Sequence, residues 1–465
     1  MAKSISSLLE KFRTIYNMWG GEAKKTITLA IPIAFGEIAQ MALHLLDTAM
    51  VGAVSYKHLA ACALVMNVVN IPFVLGIGIT FAVSQMVSLA NGKNDKQLVS
   101  HYFFNGMLLS TLFAILISGI LYFNSSILTH LGQDPEVVAL AMPFMELISL
   151  SMFPMIVFMA LKQFTDGLEF TKTAMILSVV AVPLNALINY GLIFGNFGLP
   201  RLELIGAGYG TLITRIVITI ILALVIWYHK NFRKYVLIRA SQWKFNLNTQ
   251  KELLRIGLPS SLQVTMEAGA FAISGIIIGT IGAQEQAAHQ IALSIASASF
   301  MVSMGLAQAG SIRTSNAFGQ QNGLKISNIG KSTLVTALAF GIICLTLFII
   351  FRNQLPLLFN DNQQVITIAA GLLLWAAVFQ ISDSTQVVAA GLLRGLKDVK
   401  MPTIYIAIAY WIIGIPIGYY LAFYQGFGAT GIWIGFILGL SSSALLLTMR
   451  FLYFSKKYSK KTAVV

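Results

Sequence analysis

The sequence predicts an all-α polytopic membrane protein with twelve transmembrane helices in two pseudo-symmetric six-helix bundles. Three observations predict this fold: few charged residues, twelve apolar segments that are long enough to cross a bilayer, and an internal repeat. Of the 465 residues, 57% are hydrophobic and 10% are charged, with a mean hydropathy of +0.78. Soluble domains carry about 25% charged residues. This composition therefore excludes a soluble enzyme, a nucleic-acid-binding protein and a disordered chain.

The helices are located by runs without Asp, Glu, Lys or Arg, because a transmembrane helix needs about 20 mostly apolar residues. The runs 256–284, 362–393 and 204–229 each contain one charged residue, namely Glu267, Asp383 and Arg215, and the segments Thr26–Met50 and Val137–Leu161 are added to the uncharged runs. Residues 426–428 (GFG) divide the last long run in two. The twelve predicted spans are approximately 26–50, 59–90, 101–123, 137–161, 173–194, 205–228, 253–279, 286–312, 332–351, 364–391, 402–424 and 428–450.

The distribution of Lys and Arg predicts the orientation in the membrane, because cytoplasmic loops are enriched in these residues. With a cytoplasmic N-terminus, 27 of the 31 Lys and Arg residues fall in segments assigned to the cytoplasmic side. Three fall on the opposite side, and Arg215 lies within a span. We therefore expect both termini in the cytoplasm and the chain in the inner membrane. The net charge of +14 therefore largely reflects the Lys and Arg residues of the segments assigned to the cytoplasmic side.

The two halves of the chain repeat each other at a nearly constant offset. A shift of 227 residues brings Pro32 onto Pro259 and Gly52 onto Gly279. Six helices are an even number, so both halves begin on the same side of the membrane and the repeat is parallel. Such a repeat favours an alternating-access transporter with a central cavity between two lobes. The predicted divisions are an N-terminal segment (1–25), an N-lobe (26–228), a linker (229–251), a C-lobe (252–452) and a tail (453–465).

Polar residues within the predicted spans are the candidate functional residues, because ionisable groups in a bilayer are costly and mark functional sites. Helix 1 carries four polar residues at spacings of 3, 4 and 3, which line one helix face. Helices 7 and 10 of the C-lobe each carry one carboxylate and a nearby glutamine. The candidates are Glu37, Gln40, His44 and Asp47 in helix 1, Gln263 and Glu267 in helix 7, and Gln380 and Asp383 in helix 10.

Isolated carboxylates such as Glu267 and Asp383 have two interpretations. They can hold Na⁺ through their oxygens, or take up protons, since burial favours the neutral acid. Competition between an inorganic cation and a cationic substrate for one negative charge is the minimal chemistry of an antiporter. The alternative is a structural hydrogen-bond hub without a transport role.

Asn185 and Asn189 lie four residues apart in helix 5 and share one face. With Asp47 they offer an oxygen cage in the N-lobe, although interhelical amide hydrogen bonding is an alternative. Arg215 has two open interpretations, a side chain that extends to the interface or a partner for an acid such as Glu146.

The energy source is predicted to be an ion gradient. The sequence contains no GxxxxGK[ST] nucleotide-binding loop, and its longest loop, about 23 residues, is too short for an ATPase domain. It also shows no metal-ligand cluster and no nucleophile–His–acid arrangement. We therefore expect neither an enzyme nor a cofactor beyond the coupling ion.

Several motifs resemble those of the multidrug and toxic compound extrusion (MATE) transporters, in particular the NorM-like branch. The similarity extends from about residue 25 to 450, and its most specific segment is 390–398 (AGLLRGLKD). The other matching segments are Ile31-Pro32, 46–52 (LDTAMVG), Leu258-Pro259 with Glu267, 287–290 (AAHQ), and Asp383 with Gln386-Val387.

This resemblance implies two six-helix bundles in a V-shaped arrangement that export cationic, lipophilic drugs in exchange for Na⁺ or H⁺. It assigns the C-lobe cation carboxylates to Glu267 and Asp383. It assigns the N-lobe cation site to Asp47, Asn185, Asn189 and Thr211. Some relatives have a second acid where this chain has Asn189. The neutral amide oxygens found here favour Na⁺ over H⁺, because they accept bonds but hold no proton.

The expected partners are cationic drugs and dyes, Na⁺ or H⁺ and the lipid bilayer, with no nucleic acid, and the expected state is a monomer. The nearest alternative is a flippase for a lipid-linked oligosaccharide or polysaccharide precursor within the same superfamily. A flippase would need basic cavity residues for a pyrophosphate, whereas the candidates here are mostly acidic. An ion channel or a membrane-embedded enzyme is a further alternative that the two-lobe repeat disfavours.

Overall fold

A computed structural model of the chain describes residues 2–236 and 243–462, with side chains over 19–236 and 243–460. It confirms twelve helices that are long and apolar enough to cross a membrane, and no β-strand occurs within the described ranges. In chain order, helices 1 to 12 are Ala2–Gly52, Tyr56–Gly92, Lys96–Phe123, Pro135–Gly167, Thr171–Phe194, Glu203–Tyr228, Leu247–Gly279, Ala283–Gly319, Gly323–Phe351, Gln363–Gly395, Lys400–Phe423 and Ala429–Thr462.

Within residues 2–236 and 243–462, three short helices connect the long ones. The 3₁₀ helix Ser125–His130 follows helix 3, and the 3₁₀ helix Leu355–Leu358 follows helix 9. A short α-helix, Lys230–Val236, begins the predicted linker. Residues 237–242 of that linker and 463–465 of the predicted tail lie outside the described residues.

The internal repeat extends to the helix caps. Asp95 Oδ1 accepts a hydrogen bond from Leu98 N at 2.9 Å, and Asn322 Oδ1 accepts one from Lys325 N at 2.9 Å. These side chains satisfy backbone donors that the first helical turn leaves free. Position 322 lies 227 residues after position 95, so the third helix of each half begins with a side-chain N-cap at the equivalent position.

Helix ends are where the sequence prediction is wrong. Lys162, Arg313 and Arg394 were expected in loops, but each lies inside a helix and is buried. A search for uncharged runs stops at the first charge, whereas these helices continue past it. For Lys162 and Arg313 the structure shows why this is tolerated, since each pairs with a carboxylate.

The chain packs into two compact units, and the boundaries between them fall inside helices 1 and 7. Unit 1 comprises Met1–Ala34 and Met266–Val465, and unit 2 comprises Phe35–Thr265. Each unit therefore combines parts of both sequence halves.

In unit 1, Arg313 of helix 8 holds the first part of helix 1. One guanidinium nitrogen donates to the backbone oxygen of Glu22 at 2.7 Å and to Thr26 Oγ1 at 2.5 Å. The other guanidinium nitrogen pairs with the Glu22 carboxylate. This group of charge-assisted bonds satisfies a buried cation and fixes the helix 1 segment in this unit.

In unit 2, the first part of helix 7 is held in a similar way. Tyr102 of helix 3 donates to Glu252 Oε2 at 3.1 Å, and His101 lies 2.9 Å from Thr249 Oγ1. Further along helix 7, Ser261 Oγ donates to the backbone oxygen of Leu75 at 2.8 Å. Helix 2 approaches closely here because Gly78 has no side chain, and a Cβ at this position would overlap the Ser261 backbone.

Gly78→Ala is therefore expected to destabilise the protein by about 1–3 kcal/mol, the usual effect of overpacking a tight contact. The measurement is the apparent melting temperature of the purified protein in detergent. Gly119→Ala is the matched control, because nothing lies within 4 Å of a Cβ there, and alanine favours the helix by up to about 1 kcal/mol. Equal melting temperatures for the two variants would contradict the close helix 2–helix 7 contact.

Candidate cation-binding sites

Asp383 is a buried carboxylate without a hydrogen-bond donor. It lies on helix 10 in unit 1, its side chain is 1% exposed, and neither of its oxygens has a hydrogen-bond partner in the described structure. Glu267 of helix 7 is also buried and is close enough to act on Asp383 electrostatically. The structure therefore brings together the two acids that were predicted as a pair. Such an arrangement is costly unless a cation or a proton compensates the charge.

Tyr410 of helix 11 is the residue of this site that sequence reasoning missed. Its hydroxyl donates to Glu267 Oε1 at 2.8 Å and lies 3.3 Å from Gln386 Oε1. A phenol has a single proton, so it serves one of these acceptors at a time. The hydroxyl therefore holds Glu267 but leaves Asp383 unsatisfied.

A π-helical segment, Ile408–Gly414, contains Tyr410. Such wide turns are rare and occur frequently at functional sites. Pro416 lies just beyond this segment and has no N–H to donate to the carbonyl of Ile412. The regular series of backbone hydrogen bonds of the helix is therefore interrupted here. The proline is the one signal in the sequence that points to this irregularity, and it does not identify Tyr410.

Gln380 lies one helical turn before Asp383 and is fully buried. Ser299 Oγ of helix 8 donates to its Oε1 at 2.9 Å, whereas its amide nitrogen has no partner in the described structure. Its free donor is available to a polar group or water within unit 1. Gln263 is also buried, but it belongs to unit 2.

In unit 2, the four residues predicted as the N-lobe site form one buried hydrogen-bonded cluster. Asp47 Oδ1 accepts from Asn189 Nδ2 at 2.6 Å, and Asp47 Oδ2 accepts from Thr211 Oγ1 at 3.0 Å. Asn189 Nδ2 also lies 3.0 Å from Asn185 Oδ1. Helices 1, 5 and 6 thus contribute one carboxylate, two amides and a hydroxyl to a single site.

The amide oxygen of Asn189 remains unpaired in this cluster. Gly210 of helix 6 makes room for it, because a Cβ at Gly210 would overlap that oxygen. A carboxylate with an unpaired amide oxygen nearby is the oxygen-rich environment that hard cations bind.

Arg215 lies one turn beyond Thr211 on helix 6. Its Nη1 donates to Ser151 Oγ of helix 4 at 2.6 Å, and its charge acts on Asp47. Among the described residues no ion pair joins it to Glu146. Arg215 therefore supplies a fixed positive charge near the Asp47 cluster.

The remaining polar residues of helix 1 differ in their surroundings. Gln40 is half-buried and His44 is exposed. Glu37 is partly exposed, and its Oε1 accepts from Lys162 Nζ of helix 4 at 2.8 Å. The sequence did not reveal this pair because Lys162 was expected in a loop.

Tyr410→Phe removes the donor to Glu267 and is expected to lower stability by about 1–3 kcal/mol, the cost of an unsatisfied buried acceptor. The check is the apparent melting temperature of the purified protein at neutral pH. Tyr419→Phe on the same helix is the control, since Tyr419 is exposed. A Tyr410→Phe variant as stable as Tyr419→Phe would contradict the assigned hydrogen bond.

Comparisons with known proteins agree with this architecture. The profile of the family described as MatE matches residues 32–191 and 259–420. The probable multidrug resistance protein NorM of Rhizobium meliloti (strain 1021) is 35% identical over 456 residues, covering 96% of this chain and 97% of that protein. The multidrug resistance protein NorM of Vibrio cholerae serotype O1 is 32% identical, covering 94% of this chain and 96% of that protein.

Solved structures share the fold at lower identity. An outward-facing multidrug resistance MATE family transporter of the MOP superfamily has a TM-score of 0.87 at 21% identity, covering 94% of this chain and 97% of that one. The eukaryotic MATE transporter AtDTX14 has a TM-score of 0.85 at 20% identity, with 96% of this chain and 99% of that chain covered.

Proposed function

The chain belongs to the MATE family of multidrug efflux transporters, which are multi-pass membrane proteins and not enzymes, and on that basis we propose that it is a secondary active antiporter. It exports cationic, lipophilic compounds in exchange for Na⁺ or H⁺ by alternating access. In such a mechanism the binding sites open to one side of the membrane at a time. We also propose that it resides in the inner membrane as a monomer with cytoplasmic termini, as the Lys and Arg distribution indicates.

The observation that carries the proposed coupling is the buried, donor-free carboxylate of Asp383 beside Glu267. Leaving a charge buried without a partner costs several kcal/mol. Binding of a cation or a proton removes that cost, so occupancy and the stability of this conformation are linked. A ligand shifts a conformational equilibrium only if it binds the two states differently, and a carboxylate pair of this kind supplies that difference.

The Asp47 cluster supports Na⁺ as the coupling ion of unit 2. Its amide and hydroxyl oxygens accept bonds but do not take up protons near neutral pH. An Na⁺ ion bound there would replace the amide and hydroxyl donors that now satisfy Asp47. The flippase alternative needs a group of basic residues for a pyrophosphate. Lys162 is already paired with Glu37, and Arg215 is a single cation that acts on Asp47.

Ethidium efflux from cells that lack their own exporters tests this function, with Na⁺ varied at fixed pH. We expect efflux stimulated by Na⁺, and loss of that stimulation in Glu267→Gln and Asp383→Asn, because each variant removes a negative charge from the cation site. Asp361→Asn is the control, since Asp361 is exposed in a loop.

Full Na⁺-stimulated efflux in both site variants would contradict the proposed role of the carboxylate pair. Efflux that ignores Na⁺ but stops when the pH gradient collapses would assign coupling to H⁺ instead. No efflux above the empty-vector control, across a panel of cationic dyes, would contradict export of this class of compound.

A further inference from the structure

Three ionisable side chains lie together in unit 2, outside the Asp47 cluster. Lys162 Nζ is 2.8 Å from Glu37 Oε1 and 3.6 Å from Asp166 Oδ2. Lys162 and Asp166 are one turn apart on helix 4, and their side chains are 2% and 1% exposed. Glu37 reaches them from helix 1 and is 26% exposed. The cluster is therefore buried at its helix 4 end and more open at helix 1.

The charges of this cluster do not balance when all three groups are ionised. Two carboxylates face one ammonium, which leaves one negative charge in excess. Helices 2, 3, 5 and 6 also pack against helix 4. In the described structure the charged groups that act on Asp166 are Lys162 and Glu37, and those that act on Lys162 are Glu37 and Asp166. No further charged group among the described residues is seen to act on either of them, so the excess charge has no other counter-charge there.

The excess charge is located by the hydrogen bonds. Glu37 has the short contact with the ammonium, whereas both oxygens of Asp166 have no hydrogen-bond partner in the described structure. A buried carboxylate without donors is far more costly than a neutral carboxyl in the same place. The pattern is that of an ionised Glu37 and a neutral Asp166.

A second unsatisfied group faces the same region from helix 5. Ser178 Oγ is buried and also has no partner in the described structure. A Cβ built on Gly36 would lie 3.9 Å from Ser178 Oγ and 3.8 Å from Lys162 Cε. The Ser178 hydroxyl and the Lys162 side chain therefore both lie close to helix 1 at Gly36, on the side of the cluster that faces helix 5.

We propose that Asp166 carries a proton in this conformation, and that Glu37, Lys162 and Asp166 form a proton site separate from the Asp47 cluster. Glu37 precedes Asp47 by ten residues on one helix, which separates them by about 15 Å at 1.5 Å per residue. The site follows from the local charge balance and does not depend on which compound is exported.

Loss of that proton has a defined consequence. The proton passes from the Asp166 carboxyl to water, and the resulting carboxylate competes with Glu37 for the ammonium of Lys162. Because Lys162 already lies 3.6 Å from Asp166, a small side-chain movement transfers it. Glu37 is then released, and the tie between helices 1 and 4 is broken. Protonation of Asp166 thus stabilises the contact of helix 1 with helix 4.

Infrared difference spectroscopy of the purified full chain in lipid nanodiscs tests this site. A protonated carboxyl has a C=O band that an ionised carboxylate lacks, and this band shifts in D₂O. We expect the Asp166→Asn variant to lack one carboxyl equivalent of this band relative to the wild type. Glu37→Gln should lose the same band, because Lys162 then pairs with Asp166 and displaces its proton. Lys162→Gln should gain band intensity, since two acids without a cation both bind protons.

Asp361→Asn is the control and should retain the wild-type band. Size-exclusion chromatography identifies any variant that fails to fold. Because Glu37 lies on helix 1 and Lys162 and Asp166 lie on helix 4, the test can still be carried out if substitutions on one of these helices prevent folding. A wild-type spectrum in folded Asp166→Asn at every pH would overturn the proposal. Each spectrum is also recorded in Na⁺ and in choline at fixed pH. The band that Asp166→Asn removes should be the same in both salts. Its loss in Na⁺ would show that Na⁺ displaces this proton and would overturn a site that binds H⁺ alone.

Discussion

An ionised side chain in the hydrocarbon core of a bilayer is stable only beside an opposite charge or a dense set of hydrogen-bond donors. Several buried charges of this chain meet that condition through a partner on another helix, as Arg313 does with Glu22 and Lys162 with Glu37. These pairs join helices and let them continue past the apolar segment. Asp383 has no hydrogen-bond donor in the described structure, and Asp166 has only a 3.6 Å contact with an ammonium that already pairs with Glu37. These are the two acids at which we propose that a cation or a proton binds.

The two units treat their acids differently. In unit 2, Asp47 is satisfied by Asn189 and Thr211, so a cation there exchanges with existing donors. In unit 1, the Tyr410 hydroxyl donates to Glu267, and Asp383 accepts no hydrogen bond in the described structure, so a cation bound there would displace no donor. The two sites do not occupy equivalent positions of the repeat, because the residue 227 positions before Glu267 is Gln40 and not Asp47. Unit 1 has a pair of carboxylates, whereas unit 2 has a single acid surrounded by neutral oxygens.

Much of the fold follows from the sequence alone, because uncharged runs mark the helices and repeated glycines and prolines mark the halves. The acids Asp47, Glu267 and Asp383 stand out since few charges occur in these spans. Lys162 was missed because a charge at the edge of a run cannot be distinguished from a loop residue until its partner is known. Tyr410 depends on a π-helical turn, which helical periodicity does not show. Nor does the sequence indicate that the compact units divide inside helices 1 and 7.

The dependence of stability on cations tests most directly whether Asp383 is a binding carboxylate. The measurement is thermal unfolding of the purified protein and of Asp383→Asn, with Na⁺ replaced by choline at fixed pH, and then with pH varied in choline. A ligand that binds only the folded state at 100 times its dissociation constant adds about 2.7 kcal/mol. We expect Na⁺ or acid to stabilise the wild type, and Asp383→Asn to be more stable without cation and less responsive to it. An equal response in both proteins would contradict a cation site at Asp383.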